Sequence, residues 1–143
     1  ILHRASYRPQ RNSLGTYWTS RKGVEVPTLS LDEYLGDTKV DLVKTNAEGS
    51  EPLIFEGMRD IIKNNSHLQI MTEVDPKTLS GLGFFAREHV ATLQKSFDLH
   101  IVSVKTNLIV PCRDLESIKR HAANSSHCSI LIGTRKPYLL EVP

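Results

Sequence analysis

The chain has 143 residues, of which 39% are hydrophobic and 24% are charged, as is typical of a single globular domain. Its formal net charge of +2 is too small to indicate nucleic-acid binding on electrostatic grounds. No apolar run approaches the ~18 residues that a membrane helix requires, and no signal peptide is visible, so we expect no membrane partner and take the cytoplasm as the default compartment.

The first 23 residues are basic and polar, and their arginines are interleaved with Tyr7, Tyr17 and Trp18. One interpretation is a nucleic-acid arm, because aromatic rings stack on bases and arginines hold phosphates. The more ordinary interpretation is an extended loop or hairpin that crosses a sheet. Residues 24–26 at its end resemble a short strand.

The rest of the chain alternates helix and strand patterns. Ser30 and Glu33 fit a capping box for a short helix through Leu35. The nearly continuous apolar character of residues 40–45 predicts a strand that is buried on both faces. Hydrophobic periodicity predicts the remaining elements: a helix capped by Ser50 with Leu53, Ile54, Met58, Ile61 and Ile62 buried, helices over 83–96 and 113–122, and strands at 68–72, 100–104 and 129–133. This order predicts an α/β sheet with helices on its faces.

Polar residues follow two of the predicted strands, at the point where each strand ends. In open α/β sheets, ligands bind at the carboxyl ends of the strands. If the two strands are parallel neighbours, both groups face one crevice. The first group comprises Lys44, Asn46, Glu48 and Glu51, and the second comprises Glu73 and Asp75.

The run VDLVKTNAEGSEPLIFEGM at 40–58 resembles a signature of the FkbM family of methyltransferases. The likeness continues through VPTLSLDEYL at 26–35 and LQIMTEVDP at 68–76, and it covers roughly residues 12–104. It implies a three-layer Rossmann-like class I methyltransferase fold whose last two strands form an antiparallel hairpin. It also implies S-adenosylmethionine as cofactor and O-methylation of a small molecule or glycan.

A whole domain of that family begins with a glycine-rich turn that cradles the cofactor and a second strand that ends in an acidic residue. The 8 glycines of this chain are scattered, and the Gly81-Leu82-Gly83 stretch stands in the wrong place. We therefore expect residues 1–143 to be one partial domain, with an N-terminal loop or hairpin at 1–27 and the carboxyl-side α/β half at 28–143. The residues that bind the cofactor are unknown, and the chain alone is expected to bind it weakly and to be inactive.

Four residues are the candidate catalytic residues: Glu48 and Glu73 because they follow neighbouring strands, and Lys44 and Asn46 because they stand at positions of the family's motif. The family usually has Asp where Asn46 stands, and an asparagine keeps the hydrogen bonds but cannot act as a base. Lys44 matches the family's lysine and could pair with Glu48 or Glu73. Two further carboxylates are expected to contact the acceptor substrate: Glu51 and Asp75.

Two other functions remain open. The 40–45 strand is central in a complete sheet of this family, and here its far side lacks a partner. The chain could therefore be a non-enzymatic module that oligomerises or docks through this edge, or residues 1–27 or a missing half could cover it. A divalent-metal hydrolase is the second alternative, because carboxylates suit Mg²⁺ or Mn²⁺. Its ligands would be Glu48, Glu51, Glu73 and Asp75.

Two cysteines, Cys112 and Cys128, could form a disulfide, but they are too few to define a compartment. Together with His121 and His127 they match no zinc spacing, so we expect no metal site there.

Overall fold

The computed structural model describes residues 14, 25–103, 105–122 and 129–136. This part of the chain contains six helices and five strands. The helices are α1 Leu31–Leu35, α2 Glu51–Glu56, α3 Arg59–Asn64, α4 Pro76–Gly81, α5 Ala86–Gln94 and α6 Leu115–His121. The strands are β1 Leu42–Thr45, β2 Gln69–Val74, β3 Phe97–Ser103, β4 Leu108–Pro111 and β5 Ser129–Arg135.

The five strands form one mixed sheet in the order β1-β2-β5-β3-β4. β1 and β2 are parallel, β5 lies antiparallel between β2 and β3, and β4 is antiparallel to β3. Since β5 is reversed relative to both of its neighbours, β3 runs in the same direction as β1 and β2. The predicted α/β sheet is confirmed.

The predicted pairing of the strands near 100–104 and 129–133 is confirmed, but they do not form a simple hairpin at the edge. Residues 108–111, which we did not predict as a strand, form β4 outside β3. Leu108 and Ile109 are each 61% exposed. Apolar and polar residues therefore do not alternate along this strand, and the sequence shows no pattern that would predict it. Pro111 is tolerated in this strand because the strand lies at the sheet edge.

Close packing in the middle of the sheet requires a glycine in β5. A Cβ atom on Gly133 would lie 2.7 Å from Cγ1 of Ile70 in β2 and 2.9 Å from Cδ2 of Leu99 in β3. Because Gly133 has no side chain, those two neighbours fill the space above it and join the apolar core. The fully buried members of that core come from helices and strands alike: Met58, Leu68, Ile70, Val74, Leu79, Ile101, Ile118 and Leu131.

The single helix predicted after Ser50 is broken into α2 and α3. Met58 has a non-helical φ of −131°, and the carboxylate of Asp32 in α1 accepts hydrogen bonds from the Asp60 and Ile61 amides at 3.1 and 2.9 Å. A carboxylate from a distant segment thus caps α3, and this favours a new helix start over continuation of α2. Of the predicted buried stripe, Met58 and Ile61 are buried, but Leu53 is 45% exposed.

Two strand predictions near the start of the described chain are wrong. Glu25 and Val26 have irregular backbone, while Val24 and all of residues 1–23 except Leu14 lie outside the described residues. β1 is not buried on both faces, because Leu42 is 60% exposed and Lys44 is also exposed. The reason is its place at the sheet edge: in the described part of the chain β1 pairs with β2 alone.

The helix ends follow local capping rules where the sequence predicts them. The Ser30 hydroxyl accepts a hydrogen bond from the Glu33 amide at 3.1 Å and starts α1, as predicted. Helix α5 lies within the predicted 83–96 range and buries Ala86, Val90 and Leu93, and β3 begins at Phe97. α6 lies within the predicted 113–122 range.

Candidate functional site

The carboxyl ends of β1 and β2 are joined by a buried side-chain hydrogen bond. Thr45 lies opposite Thr72 in the parallel register, and the Thr45 hydroxyl lies 2.7 Å from the Thr72 hydroxyl. Both side chains are buried, so this bond is shielded from water. The carboxyl ends of the two strands are therefore held together. The predicted site residues lie at this end of the sheet.

The turn between β1 and α2 is closed by the carboxylate of Glu51. Its Oε1 accepts a hydrogen bond from the Ala47 amide at 2.6 Å, and its Oε2 accepts one from the Gly49 amide at 2.9 Å. The side chain is only 2% exposed. Burial raises the pKa of Glu51 above its usual value and Glu73 raises it further, while the backbone hydrogen bonds oppose this shift.

The Ser50 side chain does not cap α2, contrary to the prediction. Its hydroxyl is buried and has no hydrogen-bond partner among the described residues. The Glu51 carboxylate instead accepts hydrogen bonds from the Ala47 and Gly49 amides of the turn that precedes the helix.

Two successive residues of this turn have left-handed backbone. Glu48 has a φ of 49° and Gly49 a φ of 97°. A Cβ atom on Gly49 would overlap the carbonyl group of Thr78, with the carbonyl carbon only 2.6 Å away. Helix α4 thus packs directly on the turn backbone, and the half-buried Glu48 is held at the end of β1.

The β2 side of the site is organised by Asp75. Its Oδ1 accepts a hydrogen bond from the Lys77 amide at 2.8 Å and caps α4, while Pro76 occupies the first helical position. Thr78 donates its hydroxyl to the Asp75 carbonyl at 3.1 Å. We did not predict α4, although an Asp-Pro pair after a strand is a helix-start signal.

The four predicted catalytic residues lie at or near the carboxyl ends of β1 and β2, which are at the same end of the sheet because the two strands are parallel neighbours. Lys44 and Asn46 are exposed, and Glu48 and Glu73 are half-buried. Lys44 takes no part in the ion pairs seen within residues 25–103, 105–122 and 129–136, which include Glu56–Arg59, Glu116–Lys119 and Asp98–Lys136. The catalytic roles stay predictions.

The two residues predicted to contact the acceptor have structural partners of their own. Both Glu51 oxygens bind backbone amides, and one Asp75 oxygen caps α4. Their roles in acceptor binding also stay predictions. Sequence patterns could not reveal the Glu51 contacts, because the two amides face it only when Glu48 and Gly49 adopt positive φ.

A divalent-metal site is one of the alternatives that the sequence leaves open. Within the described ranges, no group of three or more His, Cys, Asp or Glu residues could hold a metal ion. Cys112 is a buried free thiol, and burial, with Asp114 adding to the effect, raises its pKa to about 11. Cys128 and His127 lie outside the described residues.

Two described glycines with positive φ differ in their surroundings. A Cβ atom on Gly83 would meet nothing within 4 Å, so the space beside it is open. The space beside Gly49 is filled by the chain's own α4.

Comparison with known proteins gives one family match. The family model described as the methyltransferase FkbM domain matches residues 1–99. No curated protein and no solved structure matched the chain. Among the helices of the described chain, none is long and apolar enough to span a bilayer.

Proposed function

The chain belongs to the FkbM methyltransferase family, and from that premise we propose that it serves S-adenosylmethionine-dependent methylation of a hydroxyl group on a small molecule or glycan. The observation that carries the proposal is the β1–α2 turn, in which the Glu51 carboxylate and Gly49 hold Glu48 at the end of β1. Glu73 follows at the same end of the neighbouring strand.

We assign the residues of this chain to the acceptor hydroxyl. S-adenosylmethionine supplies a methyl group that is already activated, so the acceptor side must orient the hydroxyl and remove its proton. Glu48 is the proposed base, because it stands in the turn itself and its backbone position is fixed by neighbours on both sides. In this proposal Asn46 and Lys44 orient the acceptor. Glu73 contributes a negative charge at the same end of the sheet.

The cofactor side requires a further proposal. No GxGxG or GxNxG motif occurs in the 143-residue sequence. We propose that a glycine-rich segment outside this sequence completes a Rossmann-like class I domain. The reversed β5 between β2 and β3 supports this, because an antiparallel hairpin ends the sheet of that fold.

The outer edge of β1, which pairs with no other strand in the described part of the chain, supports a second candidate role, docking. A strand at a sheet edge offers unpaired backbone donors and acceptors, and the Leu42 side chain on β1 is 60% exposed. A second copy of the chain, or the segment that carries the cofactor, would pair along this edge by strand addition.

Light scattering on the purified chain tests the docking role. We expect a dimer or larger assembly, and we expect Leu42→Lys to shift it toward monomer because a lysine on an edge strand opposes pairing. Leu108→Lys, at an equally exposed position on the opposite edge strand, is the matched control and should leave the mass unchanged. A stable wild-type monomer would contradict the proposal.

The methylation proposal is tested by Glu48→Gln in a protein that also carries the cofactor segment. The amide keeps the shape of the side chain but cannot accept a proton from the acceptor. We expect turnover to fall at least about tenfold, which corresponds to ~1.4 kcal/mol of activation free energy.

A further inference from the structure

A cavity of about 550 Å³ lies between the α2–α3 pair and α5. Its floor is formed by Phe97 at the start of β3 and Arg135 at the end of β5, which are opposite each other in the sheet register. That end of the sheet is opposite the carboxyl ends of β1 and β2. None of the candidate site residues lines it: Lys44, Asn46, Glu48, Glu51, Glu73 and Asp75. Its size is that of a small-molecule site, commonly ~300–1,000 Å³.

Aromatic and aliphatic side chains form an apolar part of the cavity wall. Phe55 of α2 and Phe84 and Phe85, just before α5, contribute rings, and Leu93 of α5 adds an aliphatic surface. Phe85 is 65% exposed although its side chain is large and apolar. An exposed aromatic beside a concave apolar surface favours burial by a hydrocarbon group.

Two polar groups at the cavity have unmet hydrogen-bonding capacity. Nε2 of His89 and Nε of Arg135 are both buried and have no hydrogen-bond partner in the part of the chain that the structure describes. His89 itself is only 5% exposed. Buried donors and acceptors are usually paired, so two such atoms beside one cavity indicate that a partner binds there.

The charges around the cavity determine the sign of that partner. Burial lowers the pKa of His89 to about 4, so its ring is neutral at pH 7. The Arg135 guanidinium lies 5.6 Å from the centroid of the Phe97 ring, and its Nη1 donates to the Ser96 carbonyl at 3.2 Å, which leaves it without a carboxylate partner in the described chain. Cations outnumber carboxylates four to two in the lining: Arg59, Lys63, Lys95 and Arg135 against Glu56 and Glu88.

We infer that this cavity binds a small apolar carboxylate, such as a medium-chain fatty acid or an aryl carboxylate. The carboxylate pairs with the Arg135 guanidinium, whose planar fork suits two-point binding of such groups. Neutral His89, in the tautomer that carries its proton on Nε2, donates one further hydrogen bond to the carboxylate. The hydrocarbon part lies against Phe55, Phe84 and Phe97 and covers the exposed ring of Phe85.

Calorimetric titration of the chain with octanoate tests this inference. Octan-1-ol and octylammonium have the same hydrocarbon chain and separate the carboxylate from the apolar contribution. We expect octanoate to bind at least about tenfold more tightly than octanol, because the alcohol cannot pair with the guanidinium, and octylammonium not to bind. Equal binding of octanoate and octanol, or no heat with about 10 mM octanoate, would overturn the inference.

Variants locate the site. Arg135→Gln should weaken octanoate binding at least about tenfold, while Arg87→Gln, on the exposed face of α5 and outside the cavity, should not change it. Phe85→Ser changes an exposed side chain and keeps the test valid if Arg135→Gln fails to fold; it should weaken binding by about threefold or more. Wild-type affinity in both Arg135→Gln and Phe85→Ser would refute the assignment.

Discussion

Gly49→Ala is expected to lower the free energy of unfolding by about 3 kcal/mol or more. Gly49 has a φ of 97°, a conformation that L-residues with a side chain rarely adopt. An added Cβ would also overlap the backbone carbonyl of Thr78 in α4, which cannot move aside as a flexible side chain could. The substitution must therefore shift either the turn or α4.

Gly83→Ala is the matched control, since Gly83 also has a positive φ, of 82°, but its Cβ would meet nothing within 4 Å. Only the backbone strain remains, and we expect a loss of about 1 kcal/mol. Urea unfolding of both variants measures the difference. Equal losses would show that α4 does not pack against the turn as described.

Glu51→Gln is expected to destabilise the folded state by about 2–3 kcal/mol. The Glu51 carboxylate accepts hydrogen bonds from two backbone amides with its two oxygens. A glutamine has one oxygen, so its NH₂ group would face either the Ala47 or the Gly49 amide, donor against donor. One buried N–H is then left unpaired.

Glu56→Gln on the same helix is the control, because Glu56 is exposed and its ion pair with Arg59 at 3.0 Å is on the surface. Such a pair contributes about 0–1 kcal/mol. Amide hydrogen exchange adds a local measurement: either the Ala47 or the Gly49 amide should exchange faster in Glu51→Gln than in Glu56→Gln. Unchanged protection of both amides would disprove the carboxylate contacts.

The sequence predicts those elements of the fold whose signals are local. The Ser30 cap of α1 and the buried stripe of α5 depend only on residues within a few positions of one another. The break between α2 and α3 is different, because it depends on the Asp32 carboxylate of α1, which is distant along the chain. β4 was missed because its apolar residues are exposed at a sheet edge.

The candidate site was predictable in its position but not in its construction. Parallel pairing of β1 and β2 is expected because helices connect the two strands, and it places Glu48 and Glu73 at the same end of the sheet. The use of Glu51 to close the turn was not predictable, because a glutamate near a helix start is ordinarily explained by the helix dipole. The cavity beside His89 is formed by helices from separate parts of the chain, and no local motif marks it.

The turnover of Glu48→Gln tests the central claim most directly. The assay measures transfer of a labelled methyl group from S-adenosylmethionine to a panel of methyl glycosides, by protein that carries the cofactor segment. Glu116→Gln, on the exposed face of α6, is the control. We predict that kcat falls at least about tenfold in Glu48→Gln with KM for the acceptor little changed, and that the control matches wild type. Wild-type kcat in Glu48→Gln would contradict its role as the base and leave it a residue of the turn.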